Sequence, residues 1–211
     1  MKNKWNSFMQ DPMPSISWAA YESRLNISAV LGAIQIFLAS RLWNIEIHYP
    51  YKAMGPVLFK KYPTSKIIIG KNNSFRSSPT SNLVGINRSC AISTHSKSAK
   101  IIIGERCGFS GTIIGAYNQI TIGNHVLFGA NTTITDFDWH PVQRKGITEM
   151  VSAPIVIEDN VWLGMNAVVL KGVSVGQNAI IGANSVVTKS IPANAVAAGN
   201  PATIISILSE R

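Results

Sequence analysis

The chain has 211 residues, 46% of them hydrophobic and 14% charged, with a formal net charge of +9. That size and composition describe one globular domain plus a small extension, able to bury a sizeable core. The Lys and Arg residues are scattered and accompany no nucleic-acid motif, which argues against a nucleic-acid partner. Charge is nonetheless uneven: residues 1–104 hold 13 Lys/Arg against 3 Asp/Glu, and residues 105–211 hold 6 against 7. The basic half suits an anionic substrate, an anionic membrane surface or a polyphosphate cofactor, or is simply a solvated surface. Two cysteines, Cys90 and Cys107, form no motif and read as packed free thiols, so a reducing cytoplasm is the expected compartment.

Residues 1–65 carry no six-residue repeat. Ser15 to Trp43 reads as one or two helices, with Leu31, Ile34, Leu38 and Leu42 at helical spacing. Its longest apolar stretch, Ile27 to Ala39, contains Gln35 and is followed by Arg41. That is shorter than the about 20 residues that span a bilayer, so no membrane span is expected. The segment reads as a cap on a following solenoid, with an interfacial membrane helix as the alternative. Pro50, Pro56 and Pro63 then suggest an extended connector.

From Lys66 a repeat begins. Lys66-Ile67-Ile68-Ile69-Gly70 recurs as Lys100-Ile101-Ile102-Ile103-Gly104. From Ile157 an aliphatic residue falls at every sixth position: Ile157, Leu163, Val169, Val175, Ile181 and Val187. The position four after each is small or apolar as well, as at Val161, Ala167 and Ser185. A period of six reports a solenoid of short flat strands and tight corners, one side chain per strand pointing inward and three strands per coil. Residues 71–99 fit poorly, so the early coils are irregular or decorated. Between Ile134 and Ile157 the repeat stops, and residues 135–156 form a projecting loop holding Asp136, Asp138, Trp139, His140, Pro141, Arg144, Lys145 and Glu149. Loops held by rigid scaffolds carry function disproportionately often.

The repeat, together with Val161-Trp162-Leu163-Gly164, Gly182-Ala183-Asn184-Ser185-Val186-Val187-Thr188-Lys189 and Ala198-Gly199-Asn200-Pro201-Ala202, resembles the hexapeptide-repeat acyltransferases. Within them it is most similar to the sugar and polysaccharide O-acetyltransferases. The resemblance implies an all-β fold: a left-handed parallel β-helix over residues 66–205, after a helical cap and connector at 1–65 and before a short tail at 206–211. It implies acetyl-CoA as cosubstrate with no metal, a saccharide acceptor and a homotrimer. It also implies His140 as the general base, since an imidazole suits proton removal near neutral pH. Asp138 would orient His140, with Asp136 as rival.

Trp162, Gly164, Met165, Ala183, Thr188 and Lys189 match cofactor-contacting positions, and the Gly164 and Met165 N–H groups would face the thioester oxygen. Ser110 stands where related enzymes place an acceptor-binding Asn. Trp139 either walls the acceptor site or anchors the loop, and Arg144 and Lys145 suit an acidic acceptor or a solvated face. Basic residues often follow the Gly-x-Pro-Ala motif to meet the nucleotide end of CoA. Here Thr203 and Ser206 stand there, leaving Lys171 or a neighbouring chain for that role. Trp162 and Gly164 are expected near the base of the His140 loop. Rival readings are N-acetylation of an amino sugar, a zinc lyase on the same fold, and a non-catalytic assembly solenoid. The zinc lyase would need closely spaced histidines that His48, His95, His125 and His140 do not provide. The protein is expected in the cytoplasm, with peripheral contact at the inner face of the membrane through its basic N-terminal region.

Overall fold

The computed structural model describes residues 11–144 and 147–208. Strands β1 (Glu46–Ile47), β2 (Tyr51–Met54) and β3 (Leu58–Lys60) make a first coil. The second holds β4 (Lys66–Ile69), β5 (Asn73–Arg76) and β6 (Ala91–Thr94), the third β7 (Lys100–Ile103), β8 (Gly108–Ser110) and β9 (Ile113–Ala116). The fourth holds β10 (Gln119–Ile122), β11 (Leu127–Phe128) and β12 (Thr133–Thr135). A hairpin of β13 (Val142–Arg144) and β14 (Ile147–Glu149) follows, then a coil of β15 (Ile155–Ile157), β16 (Trp162–Leu163) and β17 (Val168–Val169). The last coil is β18 (Ser174–Val175), β19 (Ile180–Ile181) and β20 (Val186–Val187), and β21 (Ala195–Gly199) and β22 (Ala202–Ile207) end the stack.

Successive strands enter three sheets in rotation. Sheet A runs β1-β4-β7-β10-β15-β18, sheet B β2-β5-β8-β11-β16-β19-β21-β22, and sheet C β3-β6-β9-β12-β17-β20. Within them all pairings are parallel except β21–β22, which folds back and covers the final edge of sheet B. The three sheets bound a prism with three corners, A/B, B/C and C/A.

The six-residue period is the inward side chain of each face in turn. Ile157, Leu163, Val169, Val175, Ile181 and Val187 are all buried, as are Val161, Ala167, Val173, Ala179, Ser185 and Ile191 at the corners. Inside sheet B, Phe75, Phe109 and Phe128 stack ring on ring with centroids 4.9 and 4.7 Å apart. Corner residues take the left-handed conformation that Asn tolerates, as at Asn160, Asn166, Asn178 and Asn184. His125 is one of these corner residues, with φ 57°. Cys90 and Cys107 are free buried thiols, and burial pushes the Cys107 pKa up to about 11.

Two boundaries differ from the sequence reading. The solenoid begins at Glu46 rather than Lys66, because Pro50, Pro56 and Pro63 fall at the three corners of the first coil. The prolines that suggest an extended connector therefore punctuate short strands. There is also a second excursion besides the 135–156 loop: residues 77–90 leave sheet B after β5 and enter sheet C at β6. Arg88 fastens it, donating to the Gly111 and Asn131 carbonyls and to Thr133 Oγ1.

The N-terminal segment is one helix, α1 (Pro12–Trp43), ended by Asn44 in the left-handed conformation. It packs on β2 through Gly32, Ile36 and Ser40, spaced four apart. Gly32 is required there: a Cβ would lie 2.0 Å from the Ala53 carbonyl oxygen. Gln35 holds the Val57 backbone by two hydrogen bonds, Nε2 donating to the carbonyl at 2.9 Å and Oε1 accepting from the N–H at 3.1 Å. By length and composition α1 passes as long and apolar enough to cross a membrane, with mean hydropathy 1.5 over an 18-residue window. The sequence expectation counted only Ile27 to Ala39, whereas the helix extends 32 residues.

The alternation within a strand predicts opposite responses at neighbouring positions. Ile157→Ala, inside the coil, should lower stability by about 2–5 kcal/mol. Val156→Thr, on the outer surface, should change it by less than about 0.5 kcal/mol, both read from denaturant unfolding.

Candidate functional site

The loop that interrupts the repeat leaves the C/A corner after β12 and returns at β15. Its base is closed by Asp136, which is fully buried. The Asp136 carboxylate accepts the Tyr117 N–H at 2.6 Å and the Asn118 N–H at 2.8 Å, and its carbonyl accepts the Ala153 N–H at 2.9 Å. Burial raises the Asp136 pKa, and the backbone donors pull against that rise. Asp136 is thus a latch across the loop, occupied with main-chain amides, and among the described residues no hydrogen bond links it to His140.

Trp139 anchors the loop to sheet C. It has φ 64° and lies over Gly115, where a Cβ would come within 2.7 Å of the indole. Its ring meets Phe137 at 4.7 Å and the edge of His95 at 4.7 Å. His95 in turn shares a 2.8 Å hydrogen bond with Ser93. Trp139 thus packs on His95 and Phe137 with one side and keeps 43% of its surface exposed.

His140 follows at the exposed surface and makes no hydrogen bond to the protein among the described residues. Asp138, expected to orient it, pairs with Lys171 instead. That pair also occupies Lys171, which was expected for the nucleotide end of CoA. Both side chains are about one-third exposed, so the pair contributes at most about 1 kcal/mol and is open to exchange. Arg144 lies in β13, opposite Ile147 in the hairpin, and Lys145 lies outside the described residues. His48 pairs with Glu46 at 3.0 Å on the surface of the first coil.

Two expected site residues that are distant in sequence do come together. Ser110 and Trp162 line one depression of about 250 Å³ on the outer surface of sheet B, with Arg76, Asn82 and Leu127. The Asn82 amide, from the 77–90 excursion, donates to Ser110 Oγ at 3.3 Å. Arg76 and Asn82 are absent from the sequence-derived set. A signal for Arg76 existed: the residues after the stacked Phe75, Phe109 and Phe128 are Arg76, Ser110 and Gly129, and all three line this depression. Asn82 had none, since it belongs to the aperiodic excursion.

Gly164 and Met165 lie at the B/C corner beside Ala183. The Gly164 N–H donates to the Ile181 carbonyl at 2.7 Å, as a rung between coils, and so is not available to a thioester. The Met165 N–H has no protein acceptor among the described residues. Thr188 and Lys189 are exposed at the C/A edge of sheet C, one whole face away from Trp162.

This arrangement corrects the expectation that Trp162 lies near the loop base. The strand after the gap is β15, in sheet A, and Trp162 follows one corner later in sheet B. In a three-sided prism the C/A corner is opposite sheet B. Within one chain, His140 and the Trp162–Ser110 depression therefore face different directions. Among the described residues, no group of three or more His, Cys, Asp or Glu is placed to hold a metal ion.

Comparison with known proteins finds similarity in the repeats and in the fold. Residues 119–135 and 154–189 match the family model for the hexapeptide repeat of succinyl-transferase. Galactoside O-acetyltransferase of Escherichia coli (strain K12) is 45% identical over 106 residues, which are 49% of this chain and 51% of that one. A solved galactoside acetyltransferase in complex with coenzyme A is 34% identical, with a TM-score of 0.52, covering 67% of this chain and 64% of its own. A hexapeptide-repeat acetyltransferase of Vibrio cholerae, solved with acetyl-coenzyme A, shares the fold over 91% of this chain and 89% of its own, at 24% identity and a TM-score of 0.53. The chain spans about half the length of the first of these, the curated E. coli relative. The chain is thus similar to hexapeptide-repeat acetyltransferases, and the family model's match is confined to the repeats at residues 119–135 and 154–189.

The aromatic anchor has a pH dependence that can be measured. Burial, with the nearby Lys60 charge, lowers the His95 pKa below the ordinary imidazole value. A depressed pKa means that the fold favours neutral His95. Its contribution is present above the ordinary imidazole pKa and is lost as pH falls through the folded-state value. The wild-type melting temperature should therefore drop between about pH 7 and about pH 5 more steeply than that of His95→Gln. Equal slopes in thermal unfolding across that range would rule the effect out.

Proposed function

We propose that the protein is an acetyl-CoA-dependent O-acetyltransferase of the cytoplasm, acting on a sugar hydroxyl of a surface polysaccharide or its precursor. On this reading the coil is a left-handed β-helix and the working unit is a homotrimer. The observation that carries it is the placement of His140: an exposed imidazole without a partner among the described residues, on a latched and anchored loop, in a scaffold whose other three histidines are a corner residue, a surface ion pair and a loop support.

The residues suit the roles. His140 takes the proton of the acceptor hydroxyl as its oxygen forms a bond to the acetyl carbon, and returns that proton to the departing sulfur. The Met165 N–H, without an acceptor among the described residues, is a backbone donor at the B/C corner that meets the carbonyl oxygen. The exposed Trp162 indole packs against the pantetheine arm, and Ala183, Thr188 and Lys189 continue the contact, Lys189 toward a phosphate. Acetyl-CoA supplies the activated acetyl group. Ser110, with Arg76 and Asn82, receives the acceptor, and Arg76 gives that depression a positive charge. Asp138 orients His140 only by releasing Lys171.

Since sheet B and the C/A corner of one chain face apart, the site needs two chains: the loop of one over the sheet B of the next. This is the physical reason for a closed oligomer, and it gives each of three interfaces one site.

His140→Ala should lower kcat by about 10²–10⁴-fold while the KM for acetyl-CoA stays near wild type. The product should be labile to hydroxylamine, as an ester is, whereas a stable product would turn the reading to N-acetylation of an amino sugar. Co-expression of His140→Ala with Trp162→Asp chains tests the shared site. Mixed oligomers should recover activity that neither variant has alone, and no recovery would place both residues in a single-chain site.

A further inference from the structure

We propose that the outer face of α1 is a docking surface for an anionic lipid bilayer, on which the solenoid stands by its first coil. The proposal is independent of the acetyl-transfer reading. Solenoid ends are ordinarily capped by elements with a polar outer side. Here the cap is apolar on both sides. Gly32, Ile36 and Ser40 face β2, while Ile27, Val30, Leu31, Ile34, Phe37, Leu38 and Leu42 form the opposite stripe at helical spacing. Each of these seven is more than half exposed, and Leu42 is 80% exposed. The stripe continues across a groove onto Leu58 of the first coil. A contiguous patch of this kind marks an interaction surface.

Charge and aromatic placement favour lipid. From Leu25 to Ser40 there is no charged residue, and Arg24 and Arg41 bracket the run. The Arg41 guanidinium sits 5.3 Å from the Phe37 ring centroid, which puts a cation at the end of the apolar stripe. Trp43, at the C-terminal end, lines the same groove between the stripe and Leu58. The surrounding half of the chain carries the excess positive charge that attracts an anionic leaflet.

The helix lies in the bilayer surface rather than across it. Its uncharged run is about 24 Å long at 1.5 Å per residue, short of a hydrocarbon core of about 30 Å. The other face of the helix is also committed to the solenoid, with Gly32 against Ala53. A second copy fits less well: antiparallel pairing of two such faces would bring Arg24 of each against Arg41 of the other.

Sedimentation of the full chain with phosphatidylcholine vesicles, with and without about 30% phosphatidylglycerol, tests this. The chain should bind the anionic vesicles, and binding should weaken as salt rises. Leu31→Glu/Leu38→Glu should reduce binding by at least about tenfold, with an unchanged circular dichroism spectrum and unchanged acetyl transfer. Absence of wild-type binding to anionic vesicles would overturn the proposal. So would a double variant that still binds vesicles but loses its oligomeric state in sedimentation, which would assign the face to a second copy.

Discussion

Each coil is held to the next by main-chain hydrogen bonds in fixed register, and one inward side chain per strand keeps that register from slipping. A one-residue slip would turn Ile157 outward and bring Val156 into the core. The close stacking also restricts the corners. A Cβ on Gly164 would lie 2.5 Å from the Ala183 backbone nitrogen, and one on Gly176 would lie 2.4 Å from that of Ala193. Side chains that need room, and backbone without a repeat, can leave the stack only at a corner. Both excursions of the chain do so.

The same constraint decides which parts of the molecule were readable in the sequence. From Ile120 onward each inward position recurs at a fixed interval, so the strands, the corners and the edges of the 135–156 loop follow from counting. The first coil is as regular in space but not in sequence. Its prolines occupy corners elsewhere filled by Asn or Gly, and its inward residues, Ile47, Ala53 and Phe59, vary in size. The 77–90 excursion is aperiodic, and what fastens it, Arg88 on the carbonyls of the next coils, carries no local signal.

The candidate site was legible unevenly for a related reason. His140 stands out because it is on a long interruption, and Trp162 because it belongs to a motif. Their relation in space was misread: neighbours along the chain are separated by one face of the prism, and sequence distance does not register that. Asp138 and Lys171 show the limit at the level of single contacts. Two charged residues 33 positions apart meet because the loop folds back on the C/A corner, which spacing alone does not reveal. Gly164 shows the converse. Its amide looks free in a motif but is a rung between coils in the stack.

The two excursions have a consequence for how such a protein diversifies. They leave from different corners, and neither contributes an inward residue from β15 to β20. The B/C excursion brings Asn82 to the depression that holds Ser110, while the C/A loop carries His140. Each can lengthen, shorten or change composition without disturbing the register of the coils or the exposed Trp162. The corners therefore act as separate addresses: on the proposed function, acceptor recognition can change at one while the proton-transfer group stays fixed at the other.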